Sequence, residues 1–292
     1  MNAIETKQLT KFYGCHRAIE AVDLEVAEGD FFGFIGPNGA GKSTTIRTLL
    51  GFLRPTSGEA RIFGKAVGGN QPDTLSDIGY LPSESGYYDK MKVSELLKLS
   101  AELRRKDCRQ EGKLLCERLD LDPTRKIREL SLGNRKKLGI ICALQHKPRL
   151  YILDEPTSGL DPLIQKEFYS ILQERNRDGA TVFLSSHVLS EIGRYCKTAA
   201  VISKGSILAC DRVEKLGHRD VKRVILRGVE KLPQIPHGRD LHLEGETLRF
   251  LYSGDGKSLL SHLSQINFED LTITDPDLEE IFLHYYAKEA EA

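Results

Sequence analysis

Gly36-Pro37-Asn38-Gly39-Ala40-Gly41-Lys42-Ser43 is a complete G-x-x-x-x-G-K-S, and its surroundings give it meaning. The apolar run Phe31-Phe32-Gly33-Phe34-Ile35 before it reads as a buried strand. Thr44-Thr45-Ile46-Arg47-Thr48-Leu49-Leu50 after it reads as a helix stopped by Gly51. Strand, glycine loop and helix in that order are the context this motif requires. Gly36, Gly39 and Gly41 are expected to take positive φ and let the backbone approach a ligand closely. The loop then turns its N–H groups inward, and the N-terminus of the following helix, opened by Thr44, adds unpaired donors and partial positive charge. Such a nest suits the phosphates of a nucleotide. Lys42 would reach the β- and γ-phosphates, and the Ser43 hydroxyl would ligate Mg²⁺.

A second run points to the same chemistry. Leu150-Tyr151-Ile152-Leu153-Asp154-Glu155 is an apolar strand expected to end in two carboxylates, with Pro156 closing it. Adjacent acids are costly at the end of a buried strand unless a cation or a reacting group needs them. Asp154 would hold Mg²⁺, directly or through water, and Glu155 would polarise a water for attack on the γ-phosphate.

Forty-two basic and forty-two acidic residues cancel across 292 residues, so no cationic field recruits nucleic acid. No apolar run approaches the roughly 20 residues that span a bilayer, and the first residues lack a hydrophobic signal core. Six scattered cysteines (15, 108, 116, 142, 196, 210) without a C-x-x-C pair suit reduced thiols. These features point to a soluble cytosolic protein. Strand-like runs at 31–35, 150–153, 181–185 and 199–203 alternate with helical ones such as 93–103 and 162–175, which argues for an α/β domain with a largely parallel sheet. Residues 84–146 read as an inserted helical subdomain, with Leu96, Leu97, Leu99, Leu114 and Leu115 on helical faces. From 218 the pattern changes. Strands at 221–227, 240–243 and 248–252, a hairpin turn at Glu244-Gly245-Glu246, a helix with Leu259, Leu260, Leu263 and Ile266 on one face, and a strand near 271–273 make a small α+β appendage. Asp275-Pro276 then opens a last helix carrying Leu278, Ile281, Phe282 and Tyr285. The expected domains are 1–217 and 218–292.

Leu130-Ser131-Leu132-Gly133-Asn134, Asp154-Glu155-Pro156-Thr157, Ser158-Gly159-Leu160-Asp161 and Ser185-Ser186-His187 follow one another in fixed order behind the glycine loop. With these motifs the chain resembles the nucleotide-binding subunit of ABC transporters over about residues 3–216. Its tail, ITDPDLEEIFLHYY, is similar to the exporter branch whose separate ATPase subunits carry a C-terminal extension. The resemblance implies an α/β P-loop NTPase core, ATP as substrate and Mg²⁺ as cofactor. It implies that Tyr13 stacks on the adenine and that His187 hydrogen-bonds the γ-phosphate and positions Glu155. Ser131 and Gly133 would contact ATP held by a second subunit, and Asp161 would lie in a loop crossing that dimer interface. It further implies a homodimer, or a heterodimer with a paralogous ATPase, seated on the inner face of the membrane through a separate permease. The permease would dock near residues 80–91, where Tyr87 and Tyr88 stand.

The chain departs from the family pattern in two places. Leu132 and Asn134 replace the usual glycine and glutamine of the Leu-Ser-Gly-Gly-Gln element, while Ser131 and Gly133 remain. Ser83 stands where the family places a glutamine that reaches Mg²⁺. Serine is too short for that reach, which leaves Glu84 or a bridging water to serve instead. The single compact cassette, neutral charge and absence of a heptad array disfavour a soluble ABC-type ATPase working on ribosomes or DNA. Intact Asp154, Glu155 and His187 disfavour a module that binds ATP without turning it over. A small-molecule kinase would not need the element at 130–134. The appendage could support the dimer, contact the permease, regulate it, or simply pack.

Overall fold

The computed structural model describes residues 1–68, 75–84, 86–87, 89–217 and 221–274. They fall into two compact units divided between Cys210 and Asp211. The division precedes the expected one by the short helix α7 (Val213–Gly217), which falls in the second unit.

The strands β3 (Phe31–Ile35), β6 (Ile78–Leu81), β7 (Leu150–Asp154), β8 (Thr181–Ser186), β9 (Thr198–Ser203) and β10 (Ser206–Arg212) build a six-stranded sheet in the order β10-β9-β3-β8-β7-β6. From β9 to β6 the pairings are parallel. Parallel strands are covered on both faces, which explains why β3, β7 and β8 are buried along their whole length and read as continuous apolar runs rather than alternations. The Phe183 ring lies nearly parallel to that of Phe32, 5.6 Å away, and 5.3 Å from that of Phe34. Helix α1 (Lys42–Leu49) follows β3, while α5 (Pro162–Arg177) and α6 (Leu189–Tyr195) connect β7 to β8 and β8 to β9. Because the strands run parallel, the loops leaving β3, β6, β7 and β8 all emerge at one edge, where ligands of open α/β sheets bind.

A second sheet was not expected from the sequence. β1 (Asn2–Tyr13), β2 (His16–Ala27), β4 (Ser57–Ile62) and β5 (Lys65–Ala66) pair antiparallel in the order β2-β1-β4-β5. Register shifts along β1, between Thr6 and Leu9 and again before Phe12, break its alternation of buried and exposed residues and mask the period-2 signal. β2 keeps that alternation from Val22 to Ala27.

Among its described residues, segment 84–146 holds helices: α2 (Val93–Leu103), α3 (Arg109–Arg118), a 3₁₀ turn (Ile127–Glu129) and α4 (Leu132–Leu144). Leu97 and Leu115 are buried as expected, Leu96 and Leu99 half-buried, and Leu114 exposed. Just past α4, buried His146 accepts a hydrogen bond at Nε2 from Arg104 Nε at 3.1 Å. Burial, then the adjacent guanidinium, pushes its pKa down from 6.5 to about 4. The unfolded chain therefore takes up this proton first. The stability is whole above about pH 6.5 and is lost as pH falls towards 4, by about 2–3 kcal/mol in order of magnitude. Urea unfolding at pH 7 and pH 5 should show this loss in the wild type and a flatter dependence in His146→Leu.

In the second unit β11 (Val221–Arg227), β12 (Gly238–Glu244), β13 (Thr247–Ser253) and β14 (Asp270–Thr274) form an antiparallel sheet ordered β12-β13-β11-β14. Gly245, at φ +61°, makes the expected hairpin turn. Helix α8 (Gly256–Leu263) is capped by Asp255 Oδ1, which accepts from the N–H groups of Lys257 and Ser258. It buries Leu259 and Leu263 against Val224, Leu226, Phe250 and Tyr252. Leu260 does not share that face. It is 55 % exposed, because one residue past Leu259 turns it about 100° around the axis. The helix expected from Asp275 onward lies outside the described residues.

Candidate active site

The glycine loop runs from the end of β3 into α1, as its spacing predicts, but its glycines serve different ends. Gly39 and Gly41 take φ of +82° and +108°. Gly36 does not have positive φ: a Cβ there would meet the Ile202 carbonyl oxygen at 2.4 Å, so close packing on β9 demands the glycine. Pro37, Asn38, Gly39, Gly41, Lys42, Ser43 and Thr44 line an open pocket of about 230 Å³ together with Tyr13, His16, Ala18 and Glu155. Ala40 is buried beneath the loop. Tyr13 reaches this pocket from the far end of β1, with Lys11 Nζ 5.5 Å from its ring centroid. His16 and Ala18 are additions from β2, the sheet the sequence reading missed. α1 begins at Gly41 without a side-chain cap, so its first N–H groups face the pocket as donors for an anion.

Asp154 and Glu155 part company. β7 ends at Asp154, one residue earlier than expected, since Glu155 already takes φ +48°. A left-handed conformation is uncommon for a residue with a side chain and costs of order 1–3 kcal/mol. Here it turns the second carboxylate away from the first. Asp154, 1 % exposed, accepts from Ser43 Oγ at 2.7 Å and from Ser185 Oγ at 2.5 Å. The β7–β8 register sets Ser185 directly opposite it. Glu155 instead lies 3.2 Å from Lys42 Nζ through one oxygen and 3.2 Å from His187 Nδ1 through the other. Burial alone would raise the Glu155 pKa, yet Lys42 and then His187 together hold it below the usual carboxylate range. Lys42 Nζ also donates to the carbonyls of Gly36 and Pro37.

The chain thus brings Lys42, Ser43, Asp154, Glu155 and His187 to one sheet edge. Two hard oxygen donors, Ser43 and Asp154, lie side by side, and no group of three or more His, Cys, Asp or Glu placed to hold a metal ion occurs among the described residues. That donor set fits a small cation shared with a ligand's phosphates rather than a protein cage, as Mg²⁺ prefers. Asp154 is joined there by Ser185.

Ser131 and Gly133 stand apart from this pocket. Ser131 caps α4, its Oγ accepting from the Asn134 N–H. A Cβ on Gly133 would come 3.1 Å from the Gly159 carbonyl oxygen, so the start of α4 abuts the loop after Thr157. Asp161 caps α5 by accepting from the Ile164 N–H at 3.0 Å. Leu132, between the two signature residues, is 85 % exposed. Farther along α4, Lys136 is buried and donates to the carbonyls of Ser83 at 3.1 Å and Pro82 at 3.4 Å. The sequence reading missed Lys136 and Ser185. An ionisable residue on the apolar face of α4 was the available signal for the first.

The family model for ABC transporters matches residues 19–158. The bacitracin transport ATP-binding protein BcrA of Bacillus licheniformis is 40 % identical over 212 residues, 70 % of this chain and 68 % of that one. An uncharacterised ABC transporter ATP-binding protein of Synechocystis is 30 % identical and aligns with 97 % of this chain and 84 % of its own length. Among solved structures, an ATP-binding subunit of an ABC transporter superposes with a TM-score of 0.70 at 29 % identity, covering 73 % of this chain and 91 % of that one.

Proposed function

The chain belongs to the ABC transporter ATP-binding family, and from that premise we infer how its site works. The protein is an ATPase subunit that powers a separate membrane transporter. The observation that carries the reading is the Lys42–Glu155–His187 chain set beside the Ser43–Asp154 pair. Purified protein should hydrolyse ATP in a Mg²⁺-dependent way. Absence of turnover would overturn the reading.

Lys42 is engaged by Glu155 and by two loop carbonyls. The phosphates of ATP would compete for that ammonium with charge-assisted bonds. Its transfer leaves the Glu155 carboxylate to accept a proton from the attacking water, while His187 orients it and meets the γ-phosphate. Mg²⁺, held by Ser43 and Asp154, would neutralise charge on the β- and γ-phosphates. Tyr13 would stack on the base, and the loop N–H groups together with the α1 terminus would hold the phosphates.

Ser131 and Gly133 line no part of this pocket, so their proposed target is ATP on a second subunit. Two chains, identical or paralogous, would meet with each signature element over the other's γ-phosphate. Hydrolysis removes the bonds that join them, which biases a permease between two states. Export is the direction favoured by likeness to the exporter branch. Among the described residues no helix is long and apolar enough to cross a membrane, in keeping with attachment to the inner face through the permease. Isolation in mild detergent should bring a multi-span membrane protein in near-equal amount; ribosomes or DNA in its place would favour the soluble alternative. Half-buried Tyr87 belongs to the proposed docking region, and Tyr88 lies outside the described residues. Tyr87→Asp should weaken the permease complex by roughly tenfold or more and leave the ATPase of the isolated subunit unchanged.

A further inference from the structure

An ammonium buried to 8 % exposure is rare and needs partners. Lys136 finds them outside its own helix. It sits on α4, whose N-terminus presents Ser131 and Gly133, and it grips the backbone of Pro82 and Ser83. That short strap leaves β6 where Leu81 is paired with Leu153 of β7, so it runs on beside Asp154 and Glu155. The ammonium also lies in the field of both carboxylates. Three N–H donors on one nitrogen allow it to bond two carbonyls at once.

We propose that Lys136 is a positioning residue that couples the two nucleotide sites of the assembled dimer. The inference rests on the paired-subunit reading above. α4 is a continuous hydrogen-bonded helix from Leu132 to Leu144, so a shift of its N-terminus carries Lys136 with it. When Ser131 and Gly133 engage ATP on the partner subunit, Lys136 draws the Ser83 strap with α4. The strap then resets its place beside this subunit's own Asp154 and Glu155. In a chain whose Ser83 side chain is too short to sense the metal directly, the backbone bond to Lys136 takes over that link.

The test follows backbone hydrogen exchange in the full chain carrying Glu155→Gln, with and without ATP and Mg²⁺, over peptides 131–137 and 79–84. With Lys136 present, ATP should protect both. Lys136→Met should keep the protection of 131–137 and lose that of 79–84, and Lys136→Arg should restore it. In the chain with Glu155 intact, Lys136→Met should lower kcat, with KM for ATP nearly unchanged. If both peptides stay protected in Lys136→Met, the coupling is overturned. If both lose protection, Lys136 serves the fold alone, and the coupling is overturned equally. If ATP protects neither peptide before Lys136 is changed, the paired-subunit reading fails and this inference with it.

Discussion

Glu155→Gln should lower ATP turnover by about 10²–10⁴, equivalent to roughly 3–5 kcal/mol of transition-state stabilisation. The amide keeps the size and the left-handed backbone of Glu155, but it cannot take a proton from water. Its contacts explain why the loss should fall on chemistry and not on binding. Glu155 touches Lys42 and His187, whereas the loop N–H groups and the Ser43–Asp154 pair are separate from it. The variant also removes the negative charge that engages Lys42, so ATP should bind at least as tightly as to the wild type. Single-turnover phosphate release beside equilibrium ATP binding checks both halves. Turnover equal to wild type would remove Glu155 from the role of base.

Lys42→Ala should act on retention of the nucleotide. A hydrogen bond to a charged group contributes about 1.5–3 kcal/mol, so ATP affinity should fall by roughly 10–10²-fold, measured by calorimetric titration. The backbone nest survives, so binding weakens rather than vanishes. The same change should be visible in acid. In the wild type, Lys42 and His187 hold Glu155 below the ordinary carboxylate range against its burial. That stabilisation is present above the ordinary carboxylate pKa and is lost as pH falls through the depressed folded value. Without Lys42, burial meets only His187, so the Glu155 pKa should rise and this part of the acid dependence should shrink. Carboxylate titration followed by NMR would read it directly.

Much of the architecture was legible because its signals are local. β3, β7 and β8 are short continuous apolar runs, and α2 was bounded correctly at Val93 and Leu103. The antiparallel sheet was missed because register shifts in β1 scramble its alternation, and with it went His16 and Ala18 as pocket residues. Gly36 was read for conformational freedom when its need is for space against Ile202. Leu260 was placed on a buried face from spacing alone, and the α8 packing leaves it exposed.

The chain's order of residues settles which groups are present: a glycine loop before Lys42 and Ser43, two acids at 154 and 155, a histidine at 187, and a signature serine and glycine at 131 and 133. These follow from adjacency, since a tight turn, a helix start or a strand end depends on neighbours along the backbone. Their division of labour came from folding. Strand pairing across long sequence separations sets Ser185 against Asp154 and brings Ser43 to it. The backbone turn at Glu155 sends that carboxylate to Lys42 and His187 instead. The packing of α4 on the β6 edge joins Lys136 to Ser83. None of these contacts is encoded in local spacing, because each depends on the register of elements that meet only when the sheet is assembled.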